Sequence, residues 1–275
     1  MRIVRMALII VFLLSLSLFG ATELVGLIGM DRTMPKISSD REVLEIPCEY
    51  TEEQLLEGLT ASDGTDGDLT SQIIPGSFSR FIDEGVCNIS YVVFDSSDHP
   101  ASLTRQVRFT DYHPPRFTLT EPLVFAEQEG NYAEAMERLS ASDQLDGNLE
   151  DWITQTDTDV NYQRAGSYTM TVEVSSSMGA SSTAALPVHV VSPEDLSVGI
   201  TLTSGIVYVQ TGAQIDPGEY VKKVTDARGG AMDVSEVSAS SEVNTAEPGI
   251  YEIHYEAEDS SGNYGETWLT VVVEE

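Results

Sequence analysis

The side chains best suited to chemistry are three aspartates in one short turn, Asp63, Asp66 and Asp68. Clustered carboxylates repel one another unless a cation or hydrogen bonds offset their charge, and calcium prefers carboxylate oxygens as ligands. Asp95 would complete an oxygen cage if its loop lies at the same end of the fold. The spacing differs from that of an EF-hand loop, which has acids at alternate positions and a terminal Glu. The sequence therefore predicts either a calcium site at these four residues or an ordinary turn rich in Asp and Gly.

The other side chains that could catalyse a reaction or bind a metal form no recognisable motif. The histidines stand alone in the sequence, without the spacing of a zinc site: His99, His113, His189 and His254. The sequence contains neither a Gly-x-Ser-x-Gly nucleophile turn nor a glycine-rich phosphate loop. We therefore expect a protein that is not an enzyme, with no catalytic residues and no cofactor apart from calcium.

The two tryptophans, Trp152 and Trp268, are candidates for stacking against a glycan. Both lie in segments where apolar residues alternate with polar ones, which favours packing in a core. His254 lies on the outward face of a predicted strand, and we expect it to be a solvated surface residue.

The composition limits the partners. The 275 residues carry 45 acidic and 14 basic side chains, a formal net charge of −31. Binding to nucleic acid or to anionic lipid headgroups requires clustered Lys and Arg, so neither is expected. A hydrophobic content of 41% is still sufficient for folded cores, and the length predicts two or three domains.

The N-terminal segment differs from the rest of the chain. Arg2 and Arg5 precede a largely apolar run over residues 6–30, which is longer than the roughly 20 residues that span a bilayer. The positive-inside rule then predicts a single-pass membrane protein with extracellular C-terminal domains. The alternative is a cleaved signal peptide and a secreted protein, although Phe19 fits poorly at the −3 position of a cut after Ala21. Positions assigned to the anchor include Met6, Leu13, Leu16 and Ile28.

The chain contains three repeats of about eighty residues. The segment LTASDGTDGDLTSQI (59–73) returns as LSASDQLDGNLEDWI (139–153), and DRTMPKISS (31–39) returns as DYHPPRFTL (111–119). Each repeat also has an alternating segment that follows a glycine: Gly85, Gly166 and Gly249. The predicted divisions are an anchor and stalk at 1–35 and repeats at 36–112, 113–191 and 192–275.

The alternation within each repeat has a period of two residues. Tyr168, Met170, Val172 and Val174 share one face, and polar residues share the other. This pattern is typical of half-buried antiparallel strands, and many short strands separated by turns predict a β-sandwich. Only two short helices are expected, after a capping box at residues 51–54 and over residues 133–139.

Both cysteines, Cys48 and Cys87, lie in the first repeat. Cys87 stands two residues after Gly85, at the place that Tyr168 and Tyr251 occupy in the other repeats, so it should point into the core. Two cysteines in one exported domain predict a disulfide, which would contribute about 3–4 kcal/mol by closing a long loop. The alternative is a pair of buried free thiols.

These motifs resemble bacterial immunoglobulin-like modules, in particular the Ig-like domains of a pesticidal crystal protein. The first half of the family pattern is matched by Ala61, Asp63, Asp66, Gly67, Asp68, Leu69 and Thr70. The second half is matched best by Gly249, Tyr251, Ile253, Tyr255, Asp259, Gly262 and Asn263. The resemblance implies tandem Ig-like antiparallel β-sandwiches over about residues 36–275. It also implies a stalk, spacer or adhesive role on a bacterial surface without catalysis.

The repeats depart from the family pattern in their acidic residues. The second repeat has Asn148 in place of Asp68 and Ser176 in place of Asp95. The third repeat has lost the acidic turn, and it places Arg228 where Asp63 stands if Asp233 is aligned with Asp68. A function that rests on this turn is therefore not expected in the third repeat, and Asp143 and Asp146 of the second repeat are weaker candidates for calcium than the acids of the first.

The sequence thus predicts a membrane-anchored bacterial surface protein that acts as a stalk, an adhesion element or an interaction scaffold. Its expected partners are the cell membrane, through the N-terminal helix, and an extracellular protein or glycan. The alternative is a glycan- or protein-binding module of the cell envelope whose distal repeat carries the ligand site.

Overall fold

The computed structural model describes residues 2–28 and 31–275, with side chains for residues 6, 8–21 and 31–275. Helix α1 spans Arg2–Ile28, and most of the remaining chain is β-structure. The chain divides into two compact units. The first unit comprises residues 1–46, 50–79 and 87–108, and the second comprises residues 47–49, 80–86 and 109–275.

Seven strands recur three times along the chain. The first set is β1 (Lys36–Ser39), β2 (Val43–Ile46), β3 (Leu59–Asp63), β4 (Gly67–Asp68), β5 (Ile74–Phe78), β6 (Val86–Phe94) and β7 (Pro100–Phe109). The second set is β8 (Arg116–Leu119), β9 (Val124–Ala126), β10 (Leu139–Asp143), β11 (Gly147–Asn148), β12 (Thr154–Thr158), β13 (Gly166–Ser175) and β14 (Ser181–Val191). The third set is β15 (Gly199–Leu202), β16 (Ile206–Gln210), β17 (Val221–Thr225), β18 (Ala231–Met232), β19 (Ser238–Ser241), β20 (Gly249–Glu258) and β21 (Tyr264–Glu274).

The strand order is the same in all three repeats. Each has a three-stranded sheet, ordered β1-β3-β4, β8-β10-β11 and β15-β17-β18. Each also has a four-stranded sheet, ordered β2-β7-β6-β5, β9-β14-β13-β12 and β16-β21-β20-β19. The edge pairs β9–β14 and β16–β21 are parallel, whereas the sequence predicted antiparallel strands throughout. The chain is therefore all-β in three repeated units, as the sequence repeats predicted.

The period of two residues determines which face of each long strand is buried. On β13, Met170, Val172 and Val174 are buried while the residues between them face outward. On β20, Ile253 and Tyr255 are fully buried. Alternating burial of this kind places one apolar face of each sheet inside a sandwich.

Two short helices begin where the sequence predicted them. Helix α2 (Glu52–Leu56) starts at a capping box in which the Thr51 side chain accepts the amide of Gln54. Helix α3 (Tyr132–Arg138) is capped by the Asn131 side chain. Capping oxygens satisfy amides that have no partner within the first helical turn.

The described N-terminal helix does not support a membrane anchor. Within the residues that the structure describes, no helix is both long enough and apolar enough to span a bilayer. Met6, Leu13 and Leu16 have more than half of their surface exposed. Ile28 lies at the end of α1 among residues whose side chains are not described.

The predicted disulfide does not form. Cys48 and Cys87 are both free and buried, and Cys87 is fully enclosed, as its position in the repeat predicted. Burial raises the pKa of the Cys48 thiol to about 12 and that of Cys87 to about 11, with a hydrogen bond to Asp111 also acting on Cys48. Because disulfide chemistry requires a thiolate, these raised pKa values disfavour reaction of both thiols at neutral pH.

Candidate functional site

The acidic turn of the first repeat is built around Asp63. This aspartate ends β3, and the chain reverses through Gly67, whose φ of +77° suits glycine. Asp63 Oδ1 accepts the amides of Thr65 at 2.7 Å and Asp66 at 3.1 Å. Burial acts to raise the pKa of Asp63, but these hydrogen bonds outweigh it and hold the pKa below its usual value. The carboxylate is therefore charged, and only 8% of the residue is exposed.

The structure adds a residue that the sequence analysis did not select. One carboxylate oxygen from each of Asp31, Asp63 and Asp66 lies within 4.8 Å of the other two. Asp31 enters the cluster from the segment that precedes β1, and hydrogen bonds from Thr33 lower its pKa. The sequence signal was present, because Asp31 begins the segment that returns at Asp111 in the second repeat.

Asp95 approaches the same place from the loop between β6 and β7. One atom from each of Asp31, Asp95 and His99 lies within 4.8 Å of the other two. Asp95 Oδ1 accepts the amide of His99 at 2.8 Å, and its Oδ2 lies 2.7 Å from His99 Nδ1. The predicted Asp95 loop therefore does lie at the same end of the repeat as the acidic turn.

Asp68 belongs to neither group of acidic residues. Its side chain is exposed, and its Oδ1 accepts the amide of Thr70 at 2.9 Å. The structure thus brings together Asp63, Asp66 and Asp95 from the sequence analysis, adds Asp31, and leaves Asp68 in a local turn.

The second repeat has the same turn with every charged oxygen occupied. Asp143 Oδ1 accepts the amides of Leu145 and Asp146, while its Oδ2 accepts the hydroxyl of Tyr112 at 2.9 Å. Asp146 in turn accepts both the amide and the hydroxyl of Ser177. Burial and the bond to Asp143 raise the pKa of Tyr112. This version of the turn is an ordinary hydrogen-bonded structure.

The third repeat has the loop aspartate Asp259 but a single acid, Asp226, in its turn. Hydrogen bonds from the side chain and amide of Asn263 lower the pKa of Asp259 to about 2, with smaller contributions from the amides of Ser261 and Ala227. Arg228 is exposed, and its amide and that of Gly230 donate to Asp226 Oδ1, so the turn aspartate of this repeat is Asp226 and the predicted replacement by Arg228 was wrong. No group of acids suited to a metal is found here among the described residues.

A stack of three rings joins the second and third repeats within the second unit. Trp268 stacks with both His189 and His254, whose ring centroids lie 4.0 and 4.3 Å from that of the indole with the planes nearly parallel. His189 Nε2 lies 2.7 Å from a Glu252 oxygen, and His254 Nε2 lies 2.8 Å from a Glu266 oxygen. The prediction of a solvated His254 and of Trp268 in a sandwich core was therefore wrong, because both side chains face the neighbouring repeat.

The same stack contains a chain of contacts that resembles a hydrolytic triad. Ser167 Oγ lies 3.1 Å from His189 Nδ1, and the other ring nitrogen contacts Glu252. Ser167 lies inside strand β13 directly opposite His189, rather than at a sharp turn that presents a nucleophile beside open amides. The His189 ring is also pinned against Trp268. This geometry is that of a structural junction.

Trp152 is exposed over 69% of its surface, which overturns the prediction that it packs in a core. The short 3₁₀ turn at Glu150–Trp152 follows the acidic turn and directs the indole outward. In the same repeat, a groove of about 350 Å³ lies between Tyr132 and Tyr162 and includes Gln155 and Thr158. Exposed aromatic rings beside polar groups are suited to stacking on sugars.

The comparisons with known proteins agree with this architecture. Residues 199–273, which form nearly the whole third repeat, match the family described as "Bacterial surface protein, Ig-like domain". The third repeat is therefore similar to bacterial surface Ig-like domains. The pesticidal crystal protein Cry22Aa of Bacillus thuringiensis is 28% identical over 144 residues, which are 49% of this chain and 18% of that protein. The chain thus matches less than a fifth of that relative's length.

Two solved structures give weaker likenesses. A carbohydrate-binding module of Clostridium perfringens ZmpB in complex with GlcNAc, with its INT domains, is 16% identical with a TM-score of 0.23. That match covers 55% of this chain and 26% of the other. Drosophila N-cadherin EC1-4 is 11% identical with a TM-score of 0.27, covering 90% of this chain and 68% of the other. Scores this low do not establish a common fold.

Proposed function

We propose that this chain is a non-enzymatic extracellular part of a bacterial surface protein, in which Ig-like repeats serve as a stalk, an adhesion element or an interaction scaffold. The observation that carries the proposal is the match of residues 199–273 to a bacterial surface Ig-like domain. The same seven-strand order recurs in the other two repeats, which extends the architecture along the chain.

The junction between the second and third repeats supports a scaffold role. The stacked rings of His189, Trp268 and His254 lie between the two sandwiches. The amide of Phe117 donates to the Tyr208 hydroxyl at 2.9 Å, and Arg116 pairs with Glu274. Contacts of this kind limit hinge motion between adjacent repeats, as a spacer requires. The net charge of −31 keeps such a surface soluble and discourages edge-to-edge strand pairing.

Surface display can be tested by limited proteolysis of intact cells that express the chain. If the chain is displayed on the surface, the protease should release peptides from residues 31–275 while a cytoplasmic marker stays intact. Peptides that appear only after the cells are lysed would contradict the proposal.

A glycan-binding role is the second candidate, and the exposed aromatics of the second repeat favour it. Trp268 already stacks on two histidine rings, which leaves less of its indole surface for a sugar. Trp152 and Tyr132 are 69% and 50% exposed. The ligand site is therefore proposed in the second repeat, rather than in the distal repeat that the sequence favoured.

A glycan array probed with the full chain tests this second role. Trp152→Ala or Tyr132→Ala should weaken the binding of a retained glycan by about two- to tenfold, since each stacking contact contributes about 0.5–1.5 kcal/mol. Phe94→Ala is the matched control, because Phe94 is 44% exposed in the first repeat. Equal loss in all three variants, or an array without signal, would remove the glycan role and leave the scaffold role standing.

A further inference from the structure

We propose that the first repeat binds one divalent cation, with calcium preferred, at Asp31, Asp63 and Asp66, beside the Asp95–His99 pair. The site lies within the first unit and does not depend on the proposed surface role. The acidic turn of the first repeat would thus bind a cation, whereas the equivalent turn of the second repeat would not.

The first observation is an orphaned oxygen. Asp63 is more than nine-tenths buried, and its Oδ2 has no hydrogen-bond partner among the described residues. Asp31 Oδ2 is also buried without a partner. These two carboxylates belong to the same 4.8 Å cluster. A buried carboxylate oxygen without a partner is costly, and carboxylates that approach one another this closely are stabilised by a shared cation.

The second observation is a shortage of protons around the cluster. Four oxygen contacts of 2.7–3.0 Å join Asp31 Oδ1, Asp63 Oδ1 and the hydroxyls of Thr33 and Thr65. The two hydroxyls supply only two protons, so two of these four contacts join oxygens without a proton between them. Oxygens bound to one calcium at 2.3–2.6 Å also lie about 3 Å from one another. The spacing between these oxygens therefore matches the spacing between oxygens that bind one cation.

The second repeat shows what the turn looks like when no cation is needed. There the Tyr112 hydroxyl fills the position facing Asp143 Oδ2. The residue at the place equivalent to Tyr112 in the first repeat is Arg32, and its side chain is exposed. Asp63 Oδ2, the equivalent of Asp143 Oδ2, therefore has no hydrogen-bond donor among the described residues. The Tyr112 hydroxyl thus distinguishes a closed turn, in which both oxygens of the turn aspartate are hydrogen-bonded, from the open turn of the first repeat, in which one oxygen has no partner.

Calcium is favoured over magnesium by the chemistry of the donors. All the donors are oxygens, and several carboxylates are fixed in place by backbone amides, such as Asp66 Oδ2 by the amide of Ser96 at 2.9 Å. Calcium accepts irregular shells of 6–8 oxygens, whereas magnesium demands a near-ideal octahedron at 2.0–2.1 Å. With three carboxylates as its charged ligands, the site is expected to bind calcium with a Kd on the order of 10⁻⁴ M.

The test is calcium titration of the full chain after removal of metals with a chelating resin, followed by calorimetry and thermal melts. The wild-type protein should bind one calcium per chain, and 5 mM calcium should raise the Tm of the first transition by roughly 5 °C or more relative to EGTA. Magnesium at the same concentration should give a smaller rise. Identical curves with calcium and with EGTA would overturn the proposal.

Asp63→Asn separates a cation site from a structural turn. The asparagine keeps an Oδ1 for the two turn amides but removes a buried charge that faces Asp31. The variant should therefore lose the calcium response while melting in EGTA at or above the wild-type temperature. A lower Tm in EGTA with the calcium response intact would identify a structural turn only.

Two matched controls complete the experiment. Asp68→Asn changes the exposed aspartate of the same turn, and Asp143→Asn changes the equivalent of Asp63 in the second repeat. Both variants should keep the wild-type calcium response. Loss of calcium binding in either one to the same extent as in Asp63→Asn would place the cation elsewhere and overturn the assignment.

Discussion

At the scale of single residues, the turn aspartate has different hydrogen-bond partners in the first and second repeats. Asp63 and Asp143 end equivalent strands and accept the same turn amides through Oδ1. What differs is the partner of Oδ2, which is a tyrosine hydroxyl in the second repeat and no described group in the first. The chemistry of the turn therefore depends on a residue about thirty positions earlier in the chain.

Tyr112→Phe should destabilise the second repeat. The change removes the hydroxyl that donates to buried Asp143 and leaves a charged oxygen without a partner, which costs about 1.5–3 kcal/mol in the free energy of unfolding. Urea denaturation followed by circular dichroism measures the loss. Tyr132→Phe is the matched control, since that ring is half exposed, and a loss of equal size in both variants would contradict the assigned bond.

Asp259 should make the third repeat sensitive to acid. Its pKa is about 2 in the folded protein, and the usual value in an unfolded chain is about 3.9. A lowered pKa contributes stability that is fully present above about pH 4 and is lost as the pH falls toward 2. The Tm of the Asp259→Asn variant should therefore fall less between pH 4 and pH 2 than that of the wild type. An unchanged slope would show that Asp259 is not the acid-sensitive group, and Asp151→Asn serves as the exposed control.

The buried thiols lead to a direct chemical prediction. Cys48 and Cys87 should each take up one iodoacetamide under denaturing conditions without a reductant, giving two adducts by mass spectrometry. In the folded protein at neutral pH both should react slowly, because burial raises the pKa of each thiol. A mass without adducts in denaturant would reveal a disulfide and contradict the structure.

At the scale of elements, the periodicity of the strands allowed their buried faces to be predicted from the sequence, but not their direction. The alternation on β13 and β20 indicated the correct buried faces, and the capping box at Thr51 indicated the start of α2. The parallel edge pairs were missed because sequence alternation carries no information about strand direction. Trp268 was misassigned because its outward face is covered by another repeat, which no local pattern can show.

Trp268→Ala should loosen the junction between the second and third repeats. Removing the indole leaves His189 and His254 without their stacking partner and should cost about 2–4 kcal/mol, seen as a fall of several degrees in Tm by calorimetry. Trp152→Ala is a matched tryptophan control on an exposed site and should change stability by less than about 0.5 kcal/mol. Equal shifts in the two variants would mean that the ring stack does not stabilise the junction.

At the scale of the whole molecule, repetition was the strongest signal in the sequence. The acidic turn and the glycine-led strands recur at intervals of about eighty residues, and the structure has the same sheet order each time. The cation site was only partly predictable. The turn aspartates were evident, but Asp31 joins them through a tertiary contact from a segment that precedes the first strand. The disulfide was wrongly predicted because the number of cysteines and an exported context say nothing about how each sulfur is packed.

The most direct measurement is calcium calorimetry on two variants at one position, Arg32→Tyr and Arg32→Phe. If a tyrosine hydroxyl is what closes the turn in the second repeat, Arg32→Tyr should supply the same donor to Asp63 Oδ2 and abolish calcium binding. Arg32→Phe brings the ring without the hydroxyl and should keep wild-type affinity. Calcium binding that survives in both variants, or is lost in both, would contradict the account that this single donor separates a closed turn from a cation site.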